Sequence, residues 1–150
     1  MQRTVYVETE NDNYFENNKP AHNGEVLENG FQQWRNSDGL LHRLDGPAVI
    51  RPNGSQEWRQ DGRLHRLDGP AVIQADGRQE WWQDGKRHRL DGPAVIGSDG
   101  SQAWWTNNQI ITQEVMAWIK QNNISPSENW GEEEKKLFAE FASTSSNTNY

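Results

Sequence analysis

The sequence predicts a mainly β protein in which tandem 23-residue β-hairpin repeats form a single-layer antiparallel sheet, followed by a C-terminal two-helix cap. Three observations support this prediction. The nonapeptide His-Arg-Leu-Asp-Gly-Pro-Ala-Val-Ile occurs three times at a constant step of 23 residues. Turn-forming residues separate short β-branched and Trp-bearing segments. After the array the spacing of apolar residues becomes helical.

The repeat is the strongest of these signals, because identical residues at a fixed step are typical of stacked structural units. The three copies begin at His42, His65 and His88. Both ends of the array depart from the pattern, as caps of stacked repeats do. We therefore divide the chain into an N-terminal strand and loop cap (1–23), the repeat array (24–109), a helical cap (110–142) and a disordered tail (143–150).

Within one unit the residues predict two strands and two reversals. Ala71 to Ile73 is a short β-branched strand, and the turn 74–77 ends in a glycine, which tolerates a positive φ. Residues 79–83 are predicted as a second strand, which carries two adjacent tryptophans. Asp84-Gly85 then makes the next reversal.

The flanks are predicted from local signals. Residues 4–7 read as an opening strand, and residues 11–18 as a polar loop. Thr112 is a candidate cap for a first helix that ends at Asn122-Asn123. Residues 132–141 read as a second helix, with three glutamates in its first turn.

Composition excludes several classes of function. The chain lacks cysteine, so it has no disulfide framework and no thiol nucleophile. Its net charge is -7, with acidic flanks and a nearly balanced middle, which disfavours binding to duplex nucleic acid. We find neither a signal peptide nor an apolar run of the roughly 20 residues that a membrane span needs. The expected protein is cytoplasmic and makes no membrane contact.

The repeat resembles MORN-type repeats, which are single-layer ladders of β-hairpins. The resemblance covers residues 24–109, although a His-Arg-Leu-Asp-Gly-Pro-Ala segment and a Trp strand replace the usual Tyr-Gly-rich steps. This HRxDGPA variant, with a helical tail, is similar to uncharacterised small proteins encoded by tailed bacteriophages. The resemblance implies a scaffold that binds partners, and a viral origin that would place it in the host cytoplasm.

Three His-Arg pairs are the first candidate binding residues, and they leave two interpretations open. In the structural one, each arginine pairs with a neighbouring aspartate or stacks on a tryptophan. In the functional one, the guanidinium groups form a stripe that receives phosphates or carboxylates of a ligand. Equivalent histidines should stand roughly 9–10 Å apart, which is too far to share a zinc ion. The pairs are His42-Arg43, His65-Arg66 and His88-Arg89.

The tryptophans form two registers. The first contains Trp34, Trp58, Trp81 and Trp104 and is predicted to form the core. Trp82 and Trp105 follow immediately, so strand alternation places them on the opposite face. They are candidate binding residues, because this face is either covered by the helices or exposed as a contact surface.

No nucleophile elbow, phosphate loop, paired-carboxylate signature or metal motif occurs in the sequence. The identical Asp45, Asp68 and Asp91 are predicted to form turns, because catalysis usually needs one asymmetric constellation. We therefore predict a non-enzymatic protein without a cofactor. Its expected partner is another protein, which a phage protein of this kind would inhibit or sequester. The alternatives are a nucleotide or other phosphate ligand, a carbohydrate on exposed Trp, and a homodimer through the sheet edge.

Overall fold

The computed structural model describes residues 4–7, 15–16, 19–20, 23–27, 29–124 and 130–145. Short antiparallel strands dominate it, and two helices follow them. In chain order the strands are β1 (Thr4–Val7), β2 (Phe15–Glu16), β3 (Lys19–Pro20), β4 (Asn23–Leu27), β5 (Gln32–Arg35), β6 (Val49–Ile50), β7 (Gln56–Glu57), β8 (Arg59–Gln60), β9 (Arg63–Leu64), β10 (Val72–Ile73), β11 (Gln79–Glu80), β12 (Trp82–Gln83), β13 (Lys86–Arg87), β14 (Val95–Ile96), β15 (Gln102–Ala103), β16 (Trp105–Thr106) and β17 (Gln109–Ile110). The helices are α1 (Thr112–Gln121) and α2 (Glu132–Ser145).

Nine of these strands form one antiparallel sheet in the order β1-β4-β5-β6-β7-β10-β11-β14-β15. Neighbours in the sheet follow one another along the chain, as expected for tandem hairpins. In the hairpin turns, Gly54 and Gly77 have φ values of +91° and +93°, which L-residues rarely adopt. The predicted mainly β architecture, with hairpin repeats in a sheet and two C-terminal helices, is confirmed.

The single Trp-bearing strand predicted over residues 79–83 is divided into β11 and β12, because the chain leaves the main sheet at Trp81. The Trp81 N–H donates to the Ala94 carbonyl (2.8 Å), and its carbonyl accepts from the His88 N–H (3.1 Å). After this crossing, β12 pairs with β13 in a separate ladder. Each unit therefore has a second short hairpin, and the β8–β9, β12–β13 and β16–β17 hairpins form a row beside the main sheet.

Neighbouring units are also joined through this second row. The Gly85 N–H donates to the Leu64 carbonyl (2.9 Å), and the Arg66 N–H donates to the Trp82 carbonyl (3.0 Å). The Asp84-Gly85 reversal occurs as predicted, with positive φ at both residues (49° and 76°). Each repeat thus bonds to the next along two rows, which fixes the register of the array.

At the N-terminus, β1 pairs with β4 and extends the main sheet. The predicted opening strand over residues 4–7 is therefore confirmed. The polar loop predicted for 11–18 is wrong at 15–16, because β2 pairs there with β3. Residues 11–14 and 17–18 lie outside the described residues.

The helices match the prediction in place but differ at their ends. Ile111, rather than Thr112, is the N-cap of α1. Thr112 is the first helical residue, and its hydroxyl oxygen accepts a hydrogen bond from the Trp104 N–H (3.1 Å). Asn122 ends α1 as predicted. The disorder predicted from residue 143 is wrong for 143–145, which continue α2; residues 146–150 lie outside the described residues.

The two helices close the C-terminal end of the array. Their buried side chains cluster with Trp104, the last tryptophan of the first register. Trp118 stacks on Phe141, with ring centroids 5.4 Å apart. The buried members of this cap core are Trp104, Ile111, Val115, Trp130, Phe138 and Ala142. In the described part of the chain, neither helix has the length and apolar character needed to cross a bilayer.

Candidate functional site

The arginine of each repeated motif is held between an aromatic ring and a turn. In the second copy, the Arg66 guanidinium carbon lies 3.9 Å from the centre of the Trp58 ring. Its Nε donates to the Asp68 carboxylate (2.9 Å), and its Nη1 donates to the Pro70 carbonyl (3.0 Å). The same arrangement joins Arg43 to Trp34, Asp45 and Pro47, and Arg89 to Trp81, Asp91 and Pro93.

The glycine of the motif completes this stack from the other side. A Cβ on Gly69 would lie 2.9 Å from the Arg66 guanidinium carbon. The same distance is found at Gly46 towards Arg43 and at Gly92 towards Arg89. The three glycines are therefore required by a close side-chain contact, whereas the turn glycines Gly54 and Gly77 are required by their positive φ.

The histidine of each motif orders the reversal of the following unit. His65 Nδ1 accepts a hydrogen bond from the backbone N–H of Asp84 (3.0 Å), which has a φ of 49°. The corresponding contacts are His42 with the Asp61 N–H (3.0 Å) and His88 with the Asn107 N–H (3.1 Å).

These contacts favour the structural interpretation of the His-Arg pairs, since each pair already binds its own turn or the next. The pairs do not converge on a single pocket. They follow one another from unit to unit: Arg43 and His65-Arg66 line one groove, and His88-Arg89 lines the next. Their assignment as ligand-binding residues stays a prediction.

The stability of the protein is expected to fall as the pH is lowered through the range in which histidine titrates. Burial lowers the pKa of His88 from its ordinary value of 6.5. The unfolded chain therefore takes up a proton first, so the contribution of neutral His88 is complete above pH 6.5 and is lost as the pH falls towards the lower pKa of the folded state. Urea unfolding across this range measures the slope.

The His88→Asn variant is the control for this pH dependence, because the Asn oxygen can still accept the Asn107 N–H but does not titrate. The variant is expected to show a shallower loss of stability on acidification than the unsubstituted protein. If the free energy of unfolding falls equally with pH in both proteins, the loss of stability does not come from His88.

The second tryptophan register has a different environment from the one expected. The helices cover Trp104 of the first register. Trp82 and Trp105 are half-buried and flank the Arg87 guanidinium, whose carbon lies 5.0 and 5.1 Å from the two ring centres. The prediction that the first register is buried is confirmed at Trp34 and Trp104, each 3% exposed, and is wrong at Trp58 and Trp81, which are only half-buried.

A buried carboxylate beside Trp82 was missed from the sequence. Glu80 accepts hydrogen bonds from Arg78 Nε (2.8 Å), Trp82 Nε1 (2.9 Å) and Arg87 Nη2 (3.4 Å). Burial raises the pKa of Glu80, but the hydrogen bonds from Arg78 and Trp82 and the charges of the two arginines outweigh it, so this pKa lies below its ordinary value of 4.5. The sequence contained a signal for this site: Glu57 and Glu80 occupy the same position of two successive units, and two arginines accompany each of them.

The leucine of the motif was also missed, and its exposure is the observation that most clearly indicates a binding surface. Leu44 is 45% exposed and Leu67 is 74% exposed. The third copy, Leu90, is partly buried because it packs against the cap core. Two of three identical apolar side chains therefore face solvent, and the signal for them was their invariance beside the Asp-Gly-Pro turn.

The leucines border two successive open grooves, which we call the first and second groove. Leu67 belongs to both grooves. The first is lined by Leu44, Pro47, Trp58, His65, Arg66 and Leu67. The second is lined by Leu67, Pro70, Trp81, His88, Arg89 and Leu90.

The position of a third groove is filled by the protein itself. Gly92 and Pro93 are buried, whereas the corresponding glycines and prolines of the first two copies are only half-buried. Thr106 occupies the place of Gln60 and Gln83 and is completely buried, while both glutamines are partly accessible. The cap core thus covers a surface that the two preceding units leave open.

Comparison of the chain with protein-family models, with curated proteins and with solved structures gave no match. The resemblance to MORN-type repeats and to phage proteins therefore stays a prediction, and the functional argument rests on the geometry of the groove face.

Proposed function

We propose that the protein binds a partner protein through its groove face, defined by Leu44, Leu67 and the first and second grooves. One observation carries the proposal: two of three identical leucines are exposed, while the protein covers the third with its own helices. Exposed large apolar side chains grouped on a polar protein are typical of interaction sites.

The free energy gained by burying these leucines is large enough to support specific binding. Burying a leucine side chain contributes roughly 1.5–3 kcal/mol, so two leucines give a core contribution to affinity. The chain as a whole is polar, with a mean hydropathy of -1.09, and Leu67 is the most exposed of the large apolar side chains in the described residues. Polar residues around the grooves provide the rim that specific interfaces have.

Binding of a phosphate ligand by the motif arginines is a weaker proposal, because Nε and Nη1 of each arginine already bind within its own turn. Binding of a macromolecule needs no catalytic group and fits a factor that blocks or sequesters its target. Together with the resemblance to phage proteins, it leads us to propose a host or defence protein as the target.

The proposal is tested by capture with variants of the full chain. The Leu44→Ser/Leu67→Ser double variant is expected to lose a specific partner that the unsubstituted protein retains from a lysate of its natural host. Leu137→Ser is the matched control, because Leu137 is 50% exposed but lies on α2 outside the grooves. Both leucine changes affect exposed residues, so circular dichroism should show an unchanged fold.

If the double variant and the control retain the partner equally, the groove face does not bind it and the proposal is wrong. Loss of the partner from both would indicate a surface that extends over α2. Identification of the retained protein by mass spectrometry then gives the target for direct affinity measurements.

A further inference from the structure

We infer that the groove face receives an amphipathic α-helix of the partner, one that lies along the array and carries basic residues beside its apolar stripe. The inference rests on the proposed function, since it specifies what the bound partner presents. Three features support it. The cap core covers the place where a third groove would lie, the spacing of the units matches a helical repeat, and exposed carboxylates line the grooves.

The protein itself shows which structure complements this surface. Where the next His-Arg pair would stand, the chain has Ile111 and Thr112, and α1 begins. The Ile111 N–H donates to the Trp104 carbonyl (2.8 Å), as the His88 N–H does to the Trp81 carbonyl (3.1 Å). Beyond this shared anchor the cap core packs against Leu90, and the Gly92-Pro93 turn of the third motif is buried. Apolar side chains on helices therefore fit the repeated surface.

The spacing of the grooves suits a helix laid across them. Successive units are separated by two strand spacings, roughly 9–10 Å. A helix rises 1.5 Å per residue, so side chains seven residues apart lie on one face at roughly 10.5 Å. One apolar residue can then seat beside Leu44 and Leu67 in the first groove, and the residue seven positions later can seat in the second.

The charges around the grooves determine which residues are favoured beside the apolar stripe of the bound helix. Asp68 lines both grooves and Asp91 lines the second, and their side chains are 85% and 61% exposed. The hydrogen bond and charge of Arg66 lower the pKa of Asp68, so this carboxylate is ionised at neutral pH. With a net charge of -7 on the chain, lysine or arginine beside the apolar stripe provides complementary contacts.

The test uses a synthetic helical peptide of about 20 residues, long enough to form a helix in water. Leucines occupy the a and d positions of its heptads, and lysine and alanine occupy the rest. The control peptide has the same composition with the leucines distributed around the helix. Binding of each labelled peptide to the full-length protein is measured by fluorescence anisotropy, and amide and indole NMR signals locate the contact.

The patterned peptide is expected to bind and to shift the signals of Leu67, Trp58 and Trp81, and to bind more weakly as salt is added. The Leu44→Ser/Leu67→Ser variant should bind it at least about tenfold more weakly, while Leu137→Ser should bind it unchanged. Equal binding of both peptides, or equal binding by the double variant, overturns the inference.

Failure of this inference can be told apart from failure of the proposed function. If the natural partner depends on Leu44 and Leu67 but the patterned peptide does not bind, the groove face recognises a structure other than a helix. If the peptide depends on these leucines but the natural partner does not, the grooves bind helices in solution and the proposed function is wrong.

Discussion

The Glu80→Gln variant is expected to lower the free energy of unfolding by about 2–3 kcal/mol, since it leaves partly buried guanidinium groups without their carboxylate. Glu80 is 6% exposed and accepts hydrogen bonds from Arg78, Trp82 and Arg87. An amide presents only one acceptor oxygen, and its NH₂ group faces another donor. The effect lies at the low end for buried ion pairs, because the arginine side chains are 36% and 28% exposed. Urea unfolding followed by circular dichroism measures it.

The size of this effect is expected to depend on pH. The pKa of Glu80 is below its ordinary value of 4.5 in the folded protein. The ionised carboxylate therefore stabilises the fold fully above pH 4.5, and this contribution is lost as the pH falls towards the lower folded-state pKa. The difference between the unsubstituted protein and Glu80→Gln should shrink over that acidic range.

The third repeat provides the control for Glu80→Gln. At the positions equivalent to Arg78, Glu80 and Arg87 it has Ser, Ala and Ile. The triple variant Arg78→Ser/Glu80→Ala/Arg87→Ile removes the whole cluster and leaves no unpaired buried charge, so it should be more stable than Glu80→Gln. A triple variant that is less stable than the single one would show that the cluster contributes net stability as a unit.

The repeat fold could be predicted from the sequence because its signals are local and recur. The turn 74–77 and the Asp84-Gly85 reversal are specified by residues that favour positive φ, and three copies make chance agreement implausible. The crossing at Trp81 could not be predicted in this way. Residues 79–83 form one uninterrupted segment between two turns, and only the pairing of β11 with β14 and of β12 with β13 divides them between two ladders.

The candidate site was predictable only in part, for a similar physical reason. The sequence indicated that each motif arginine would pair with an aspartate or stack on a tryptophan, and both occur. Which leucine stays exposed depends on where α1 and α2 dock, a long-range contact that no local pattern encodes. Leu67 and Leu90 have the same neighbours in sequence, yet only Leu90 meets the cap core.

The Gly69→Ala variant is expected to lower the free energy of unfolding by about 2 kcal/mol, although it adds only one methyl group. The new Cβ would lie 2.9 Å from the Arg66 guanidinium carbon, which the Trp58 ring prevents from moving away. The guanidinium must leave the stack, and its displacement weakens a partly buried cation–π contact and the hydrogen bonds to Asp68 and Pro70. Urea unfolding of the full-length variant measures the loss.

A double-mutant cycle separates this contact from backbone effects. In the Arg66→Ala background, Gly69→Ala meets no guanidinium and should be neutral or slightly stabilising, because alanine restricts the unfolded chain more than glycine does. Gly77→Ala is the contrast: nothing lies within 4 Å of its Cβ, but its φ is +93°, so it should cost about 1 kcal/mol in either background. If Gly69→Ala were equally costly with and without Arg66, its cause would lie in the backbone, and the glycine of the repeated motif would serve the turn rather than the arginine.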